Sequence, residues 1–238
     1  TTAMGTVVQV RAFLPTQPTP ARETELAGHL EAAIREIRRL EALMTTWQPD
    51  SDISKVNAAA GHSKVAVSPE VYEVLARSQE FSQRSAGAFD ISFYALRGLW
   101  HFDDDLSPTL PSATELAKRL PLINHRLIEL DPKAHTVRLA KPGMAINLGG
   151  IGKGFAVDAA VKLLKARGIH DGMVQAGGDL MLFGSKAGQP FKAGVRDPRS
   201  LDPSDFFAVC EVKDRAFSTA GDYERSFIRE GTRYHHIL

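Results

Sequence analysis

Residues Asn147 to Asp158 read Asn-Leu-Gly-Gly-Ile-Gly-Lys-Gly-Phe-Ala-Val-Asp, which sets Gly149, Gly150, Gly152 and Gly154 around one lysine, Lys153. An apolar run, Met144 to Leu148, enters the stretch, and an amphipathic helical pattern leaves it. Glycine lets backbone take φ > 0 and come close to a ligand. The helix start after it offers N–H groups to an anion. The stretch therefore reads as a holder for phosphate. The same residues also fit a strand-to-helix turn whose glycines serve tight packing.

Spacing excludes two common nucleotide loops. A Walker A loop, G-x-x-x-x-G-K-[ST], would need glycine at Asn147 and Ser or Thr at Gly154. A dinucleotide fingerprint, G-x-G-x-x-G, starting at Gly150 would need glycine at Phe155.

The rest of the chain sets the fold around this loop. Its 238 residues allow one large domain or two small ones. Met4 to Phe13 reads as a strand, and Pro15, Pro18 and Pro20 mark the loop after it. Leu26, Leu30, Ile34, Ile37 and Leu40 recur at helical spacing, which predicts a helix over Arg22 to Met44. Thr46 to Gly61 reads as polar and irregular. Ser68 and Pro69 open a second helix that runs to about Ser85, with Gly87 as its stop. Ser112 and Glu115 have capping-box spacing for a short third helix.

Strands are expected at Leu127 to Leu130 and Thr136 to Leu139, around an Asp-Pro turn. A helix continues from the glycine loop, over Phe155 to about Ala166. Met173 to Ala176 and Leu180 to Phe183 flank a Gly177-Gly178 turn as a hairpin. Further strands are expected near Phe191 to Val195, Phe206 to Val212, Ala216 to Thr219 and Ser226 to Arg229. Helices early and antiparallel strands late make the fold class α+β. No linker marks a domain boundary, so the expectation is a single domain over 1–238.

Charge narrows the partners. Charged residues make up 24 % of the chain and the net charge is +1, which gives no broad attraction for nucleic acid or an acidic membrane. No apolar run of about eighteen residues is present to form a transmembrane helix. Cys210 is the single cysteine and cannot form an internal disulfide.

Several other residues carry two readings each. Asp103, Asp104 and Asp105 either bind a hard cation or form a solvated loop, and no EF-hand pattern surrounds them. His235 and His236 alternate faces on a strand and lack partners at zinc-ligand spacing, but one of them can face a cleft as acid or base. Asp90, between Phe89 and Ile91, is a site carboxylate or a capping aspartate. Trp47 either stacks on a planar ligand or ends the apolar face of the preceding helix.

Taken in order, these segments resemble the ApbE family, the FAD:protein FMN transferases. Met4-Gly5-Thr6 resembles the family's opening motif. Thr46-Trp47-Gln48-Pro49-Asp50-Ser51, closed by Asn57, resembles its (S/T)-(Y/W)-x-x-(D/E)-S segment. Gly87 to Ile91 matches its G-A-F-D-I motif, and Asn147 to Asp158 is similar to its D-L-G-G-I-A-K-G-Y-A-V-D loop. Ala176 to Asp179 matches A-G-G-D, and Arg196-Asp197-Pro198 resembles I-R-D-P. Ser218 to Tyr223 resembles S-T-S-G-D-Y, and Tyr234 to Leu238 resembles the start of Y-S-H-I-x-D-P. The resemblance runs from Met4 to Leu238.

The resemblance implies an ApbE-like fold and a reaction. FAD would be split at its pyrophosphate with Mg²⁺, FMN would pass to a Thr or Ser hydroxyl of an acceptor flavoprotein subunit, and AMP would leave. Some members of the family instead hydrolyse FAD to FMN and AMP with a metal, and the metal motif absent from this chain gives a second alternative, FAD binding without catalysis. By the same resemblance, Met4 and Trp47 contact the flavin or its linker, and Ala88, Phe89 and Asp90 line the FAD site. Asn147 and Lys153 contact the ligand, and the Gly150 carbonyl binds the metal. His236 stands beside the reacting phosphate as a base.

Two departures are visible. Asn147 stands where many relatives carry Asp, so the loop keeps a hydrogen-bonding group and loses a charge. Relatives also continue beyond the position of Leu238 with an A-D-A-x-(S/A)-T-A motif that supplies metal ligands, so the C-terminal part is expected to be missing from this chain. A start at Thr1 fits a lost leader, and the resemblance implies a periplasmic protein held at the inner membrane as a lipoprotein.

Overall fold

A computed structural model describes residues 1–14, 18–100, 110–200, 202, 204–221 and 226–235. Helices combine with antiparallel sheets, as the α+β reading expected. The chain divides into two compact units. One comprises Thr1–Glu41 and Lys153–Gly221, the other Ala42–Gly152 and Asp222–Leu238. The chain passes from one to the other three times: inside one helix, at the start of another, and after Gly221. The crossing between Gly152 and Lys153 falls within the glycine-rich loop itself, and the one inside the helix has no Pro- or Gly-rich linker.

The first unit is built on a five-stranded sheet. Its strands are β1 (Thr2–Ala3), β2 (Thr6–Ala12), β6 (Gly172–Ala176), β7 (Asp179–Phe183) and β10 (Arg215–Ser218), hydrogen-bonded in that order. The expected first strand is split. Met4 and Gly5 both have positive φ and turn β1 onto β2. β2 pairs with β6, with Val10 opposite Val174. β6 and β7 form the expected hairpin around Gly177-Gly178, with Ala176 opposite Asp179.

A second sheet pairs β8 (Phe191–Arg196) with β9 (Phe206–Val212). Leu182, Phe191, Ala193 and Val212 form a buried cluster against Phe13, Met173, Leu180 and Phe217. Each large apolar side chain removed from water there contributes about 1.5–3 kcal/mol. Helix α1 (Pro20–Met44) buries Leu26, Ala33, Ile37 and Leu40 from its apolar stripe. It starts two residues earlier than expected because proline suits the first helical turn. Helix α5 (Gly152–Ala166) buries Ala156, Val157, Ala160, Val161 and Leu164.

The second unit holds shorter elements. Helix α2 (Asp52–Ala58) lies inside the segment expected to be irregular. Ser51 caps it by accepting from the Ser54 N–H at 3.0 Å, and Ile53 and Val56 form its buried face. Seven residues leave too little periodicity to find it from pattern alone. β3 (Val65–Ala66), β5 (Thr136–Leu139) and β4 (Ile128–Asp131) form an antiparallel sheet in the order β3-β5-β4, and α2 packs on β5 and β3.

Helix α3 (Pro69–Arg84) buries Val71, Val74 and Leu75. Ser68 stands at its N-cap without the expected side-chain bond. The Ser68 N–H instead donates to Asp52 Oδ2 at 2.7 Å, and the Ser68 hydroxyl is buried without a partner among the described residues. Helix α4 (Ala113–Arg119) carries the full capping box of Ser112 and Glu115. β11 (Ser226–Arg229) and β12 (Thr232–His235) form a hairpin in which Phe227 stacks on Tyr234. Among the described residues, no helix is long and apolar enough to cross a membrane.

Candidate functional site

Met144 to Leu148 delivers the chain to the glycine loop. Met144, Ala145, Ile146 and Leu148 are buried, yet the segment belongs to no sheet. Backbone groups in such a place need partners from elsewhere. Asn57, on α2, supplies two of them. Its Nδ2 donates to the Ile146 carbonyl at 3.0 Å, and its Oδ1 accepts from the Ile146 N–H at 2.8 Å. The next amide, Asn147 N–H, donates to the Ile91 carbonyl at 3.0 Å.

Asn147 then shapes the loop with its side chain. Its Oδ1 accepts from Gly149 N–H at 2.7 Å, and its Nδ2 reaches the Thr46 hydroxyl at 3.5 Å. Tyr94 donates to the same hydroxyl at 3.3 Å. Trp47, beside Thr46, is 90 % exposed, so it does not finish an apolar helix face. It presents its indole to solvent instead. Gly150 is exposed, and a Cβ on it would come within 3.1 Å of the Phe89 ring. Phe89 thus lies against the middle of the loop. Phe81 meets Phe89 edge-on, with ring centroids 6.4 Å apart.

Asp90 acts as a cap in this structure. Its Oδ1 accepts from Ser92 N–H at 2.8 Å and from the Ser92 hydroxyl at 2.6 Å. Its Oδ2 accepts from His125 N–H at 2.7 Å. The buried Ser92 hydroxyl in turn accepts from Asn124 N–H at 2.8 Å. These bonds hold a 3₁₀ turn over Ile91–Leu96, whose first carbonyl receives Asn147. Ala88 is exposed one residue before Phe89.

Two further candidates, Lys153 and Met4, lie in the first unit. Lys153, on the first turn of α5, places Nζ 3.3 Å from Asp179 Oδ2. Asp179 opens β7, and its Oδ1 accepts from the Ser218 hydroxyl at 2.5 Å. The turn before it depends on glycine. Gly177 has φ +60, and a Cβ there would meet Thr6 Oγ1 at 2.6 Å. A Cβ on Gly178 would overlap the Thr219 carbonyl oxygen, and Thr219 N–H donates to the Gly178 carbonyl at 3.1 Å. Met4 occupies the β1–β2 turn with φ 54, and its N–H donates to Glu41 Oε1 at 2.5 Å.

The structure therefore gathers Trp47, Phe89, Asp90, Asn147 and Gly150 around the glycine loop in one unit. Lys153 belongs to a cation–carboxylate pair in the other. His236 and the acidic run Asp103 to Asp105 lie outside the described residues. Thr46, Tyr94, Ser92 and Asp179 add contacts that periodicity alone did not single out, although Thr46 and Asp179 sit inside quoted motifs.

The fit to Mg²⁺ can be judged from the donors. Among the described residues, no group of three His, Cys, Asp or Glu side chains could hold a metal ion. The loop offers the main chain of exposed Gly150. Magnesium prefers oxygen, keeps several waters and binds substrate phosphates, so a single main-chain oxygen is compatible with a shared, partly hydrated site.

Comparison with known proteins agrees with the order of the motifs. The ApbE family model matches residues 4–238. A protein of Treponema pallidum (strain Nichols) named FAD:protein FMN transferase is 32 % identical over 249 residues, covering 99 % of this chain and 67 % of the relative. Another of that name from Vibrio cholerae is 29 % identical, covering 99 % of this chain and 69 % of the relative. The crystal structure of the ApbE protein from Thermotoga maritima superposes with a TM-score of 0.84 at 31 % identity, covering 100 % of this chain and 74 % of that one. The apo flavinyl transferase ApbE of Pseudomonas stutzeri gives a TM-score of 0.80 at 27 % identity, covering 99 % and 71 %.

Proposed function

Because the chain belongs to the ApbE family, we propose that it is a flavin transferase that moves FMN from FAD to a Thr or Ser hydroxyl of a target protein in the presence of Mg²⁺. The observation that supports this most is the match of 99 % of the chain to relatives sharing one enzyme name. The step is a displacement at phosphorus. The acceptor oxygen forms a bond to the FMN phosphorus, the bond from that phosphorus to the bridging oxygen breaks, and AMP leaves with the bridging oxygen. The hydroxyl proton passes to a base, the role given to His236.

Such transfers rest on positioning and on neutralising phosphate charge. Lys153 suits the second task. Its ammonium already pairs with a carboxylate oxygen of Asp179 at 3.3 Å, and a pyrophosphate oxygen is a similar partner. Asn147, which fixes Gly149, suits the first task. The exposed Trp47 indole offers a face for stacking on a flat ring, and base–aromatic stacking contributes about 1–3 kcal/mol. Met4, Ala88 and Phe89 complete the proposed flavin contacts, with the Asp90 carboxylate engaged behind them. Bound Mg²⁺, with Gly150 among its ligands, would supply positive charge to the pyrophosphate.

The proposal includes action outside the cytoplasmic membrane, which fractionation of cells expressing the whole gene checks directly. The reaction is tested with FAD, Mg²⁺ and a flavoprotein domain bearing an exposed Thr. The expected products are AMP and a covalent fluorescent adduct on the domain. FMN and AMP formed equally well without the domain would replace transfer by hydrolysis. FAD bound but left intact would replace it by binding alone.

A further inference from the structure

We propose that Asn57 is a positioning residue for the glycine loop, acting through the main chain of Ile146 rather than on the ligand. The inference rests on the proposed function only for its ligand, FAD. The loop's approach, Met144 to Leu148, is buried backbone outside any sheet. At Ile146 both main-chain groups are satisfied by one amide side chain that lies 89 residues away in sequence. Asn57 thereby stands in for a missing neighbouring strand. A strand would fix the whole segment, whereas Asn57 fixes one residue, directly before Asn147.

The loop downstream takes its position from that residue. Asn147 N–H meets the Ile91 carbonyl, its Oδ1 holds Gly149 N–H, and its Nδ2 meets the Thr46 hydroxyl. The helix that carries Asn57 is anchored at its other end to the same Thr46 segment. Ser51 donates from its hydroxyl to the Thr45 carbonyl at 2.5 Å, and Ser54 does so at 3.5 Å. Helix α2 is thus a short brace between the Thr45–Trp47 segment and the entry of the loop. Asn57 has the two functions this needs, one donor and one acceptor on a planar group. Aspartate at this position would keep the acceptor for Ile146 N–H and lose the donor for the Ile146 carbonyl.

The test uses Asn57→Ala and Asn57→Asp in the full chain, with FAD as the probe and amide hydrogen exchange as a second readout. At a temperature where both variants are folded, exchange at Asn147 to Ile151 should rise at least tenfold in Asn57→Ala. Exchange across β6 and β7 should stay as in the parent. FAD affinity should fall at least tenfold in Asn57→Ala and by less in Asn57→Asp. If Asn57→Ala does not fold, Asn57→Asp alone carries the test with the same local pattern. Exchange and affinity within about twofold of the parent would overturn the inference. A uniform rise in exchange over α3, β4 and β5, with no excess at the loop, would also overturn it and make Asn57 an ordinary stabilising residue. Failure of the parent chain to bind FAD would contradict the proposed function instead, while the exchange pattern would still decide the role of Asn57.

Discussion

The glycine loop and the Gly177–Asp179 turn are both glycine-rich, but they are held in different ways. The turn joins two strands of a five-stranded sheet, and its shape is set by the register of Ala176 opposite Asp179. The loop leaves buried backbone outside any sheet and is held by side chains: Asn57, Asn147, Thr46 and, through the Ile91 carbonyl, Asp90. Ladder hydrogen bonds make the turn stiff through many equivalent contacts. The loop depends on a few specific ones, so single substitutions there should change ligand affinity.

Lys153 gives the largest expected effect. Lys153→Ala removes the positive charge aimed at Asp179 and should lower kcat/KM for FAD by about 10²–10³-fold, in the range of one lost charge-stabilising donor. Its melting temperature should move by only a few degrees, since partly exposed ion pairs contribute little to stability. Parallel loss of fold and activity would make Lys153 structural.

The same glycine-to-alanine change separates the two regions next. Gly178→Ala drives a Cβ into the Thr219 carbonyl oxygen, and backbone cannot yield cheaply. It should cost about 1–3 kcal/mol in denaturant unfolding. Gly150→Ala meets only the edge of the Phe89 ring at 3.1 Å, which can tilt away. It should cost less than about 1 kcal/mol while weakening FAD binding. Equal stability losses would erase the contrast between sheet-held and side-chain-held backbone.

Asp90→Ala sharpens the comparison within the loop region. It strips an acceptor from Ser92 N–H and from His125 N–H, at a cost of about 1–3 kcal/mol. Flavin affinity should fall as well, through the Ile91 carbonyl that receives Asn147. Unchanged stability would show that the cap is dispensable.

The smallest effect lies away from both regions, at the capping box of α4. Ser112→Ala should cost about 1 kcal/mol or less. The Ser112 hydroxyl and N–H hold the Glu115 carboxyl below the usual carboxylate range. A depressed folded value means this contribution is present above the ordinary carboxylate pKa and is lost as pH falls through the lowered one. Acid titration of the Ser112→Ala variant should therefore show a slightly smaller loss of melting temperature than the parent.

The same contrast explains what could be read from sequence. β6, β7 and their turn were legible because alternating apolar residues flank a Gly-Gly pair. The glycine loop was legible as an anomaly, because few sequences place four glycines beside one lysine. Its supports were not. Helix α2 has only seven residues, and the signals available were the Ser51 cap with Ile53 and Val56 at helical spacing. Asn57 meets Ile146 across 89 residues, a pairing that no local pattern encodes. Trp47 read as either a stacking group or a helix end, and its exposure removes only the helix-end reading. Asp90 admitted both a site and a capping reading, and its three hydrogen bonds describe a cap.

The most direct test of the proposed activity is the mass of the acceptor domain after incubation with the chain, FAD and Mg²⁺. The domain should gain FMN less one water on a Thr or Ser, with one AMP released per adduct, and Lys153→Ala should lose both together. An acceptor of unchanged mass beside FMN and AMP in solution, or beside intact FAD, would contradict the proposed activity.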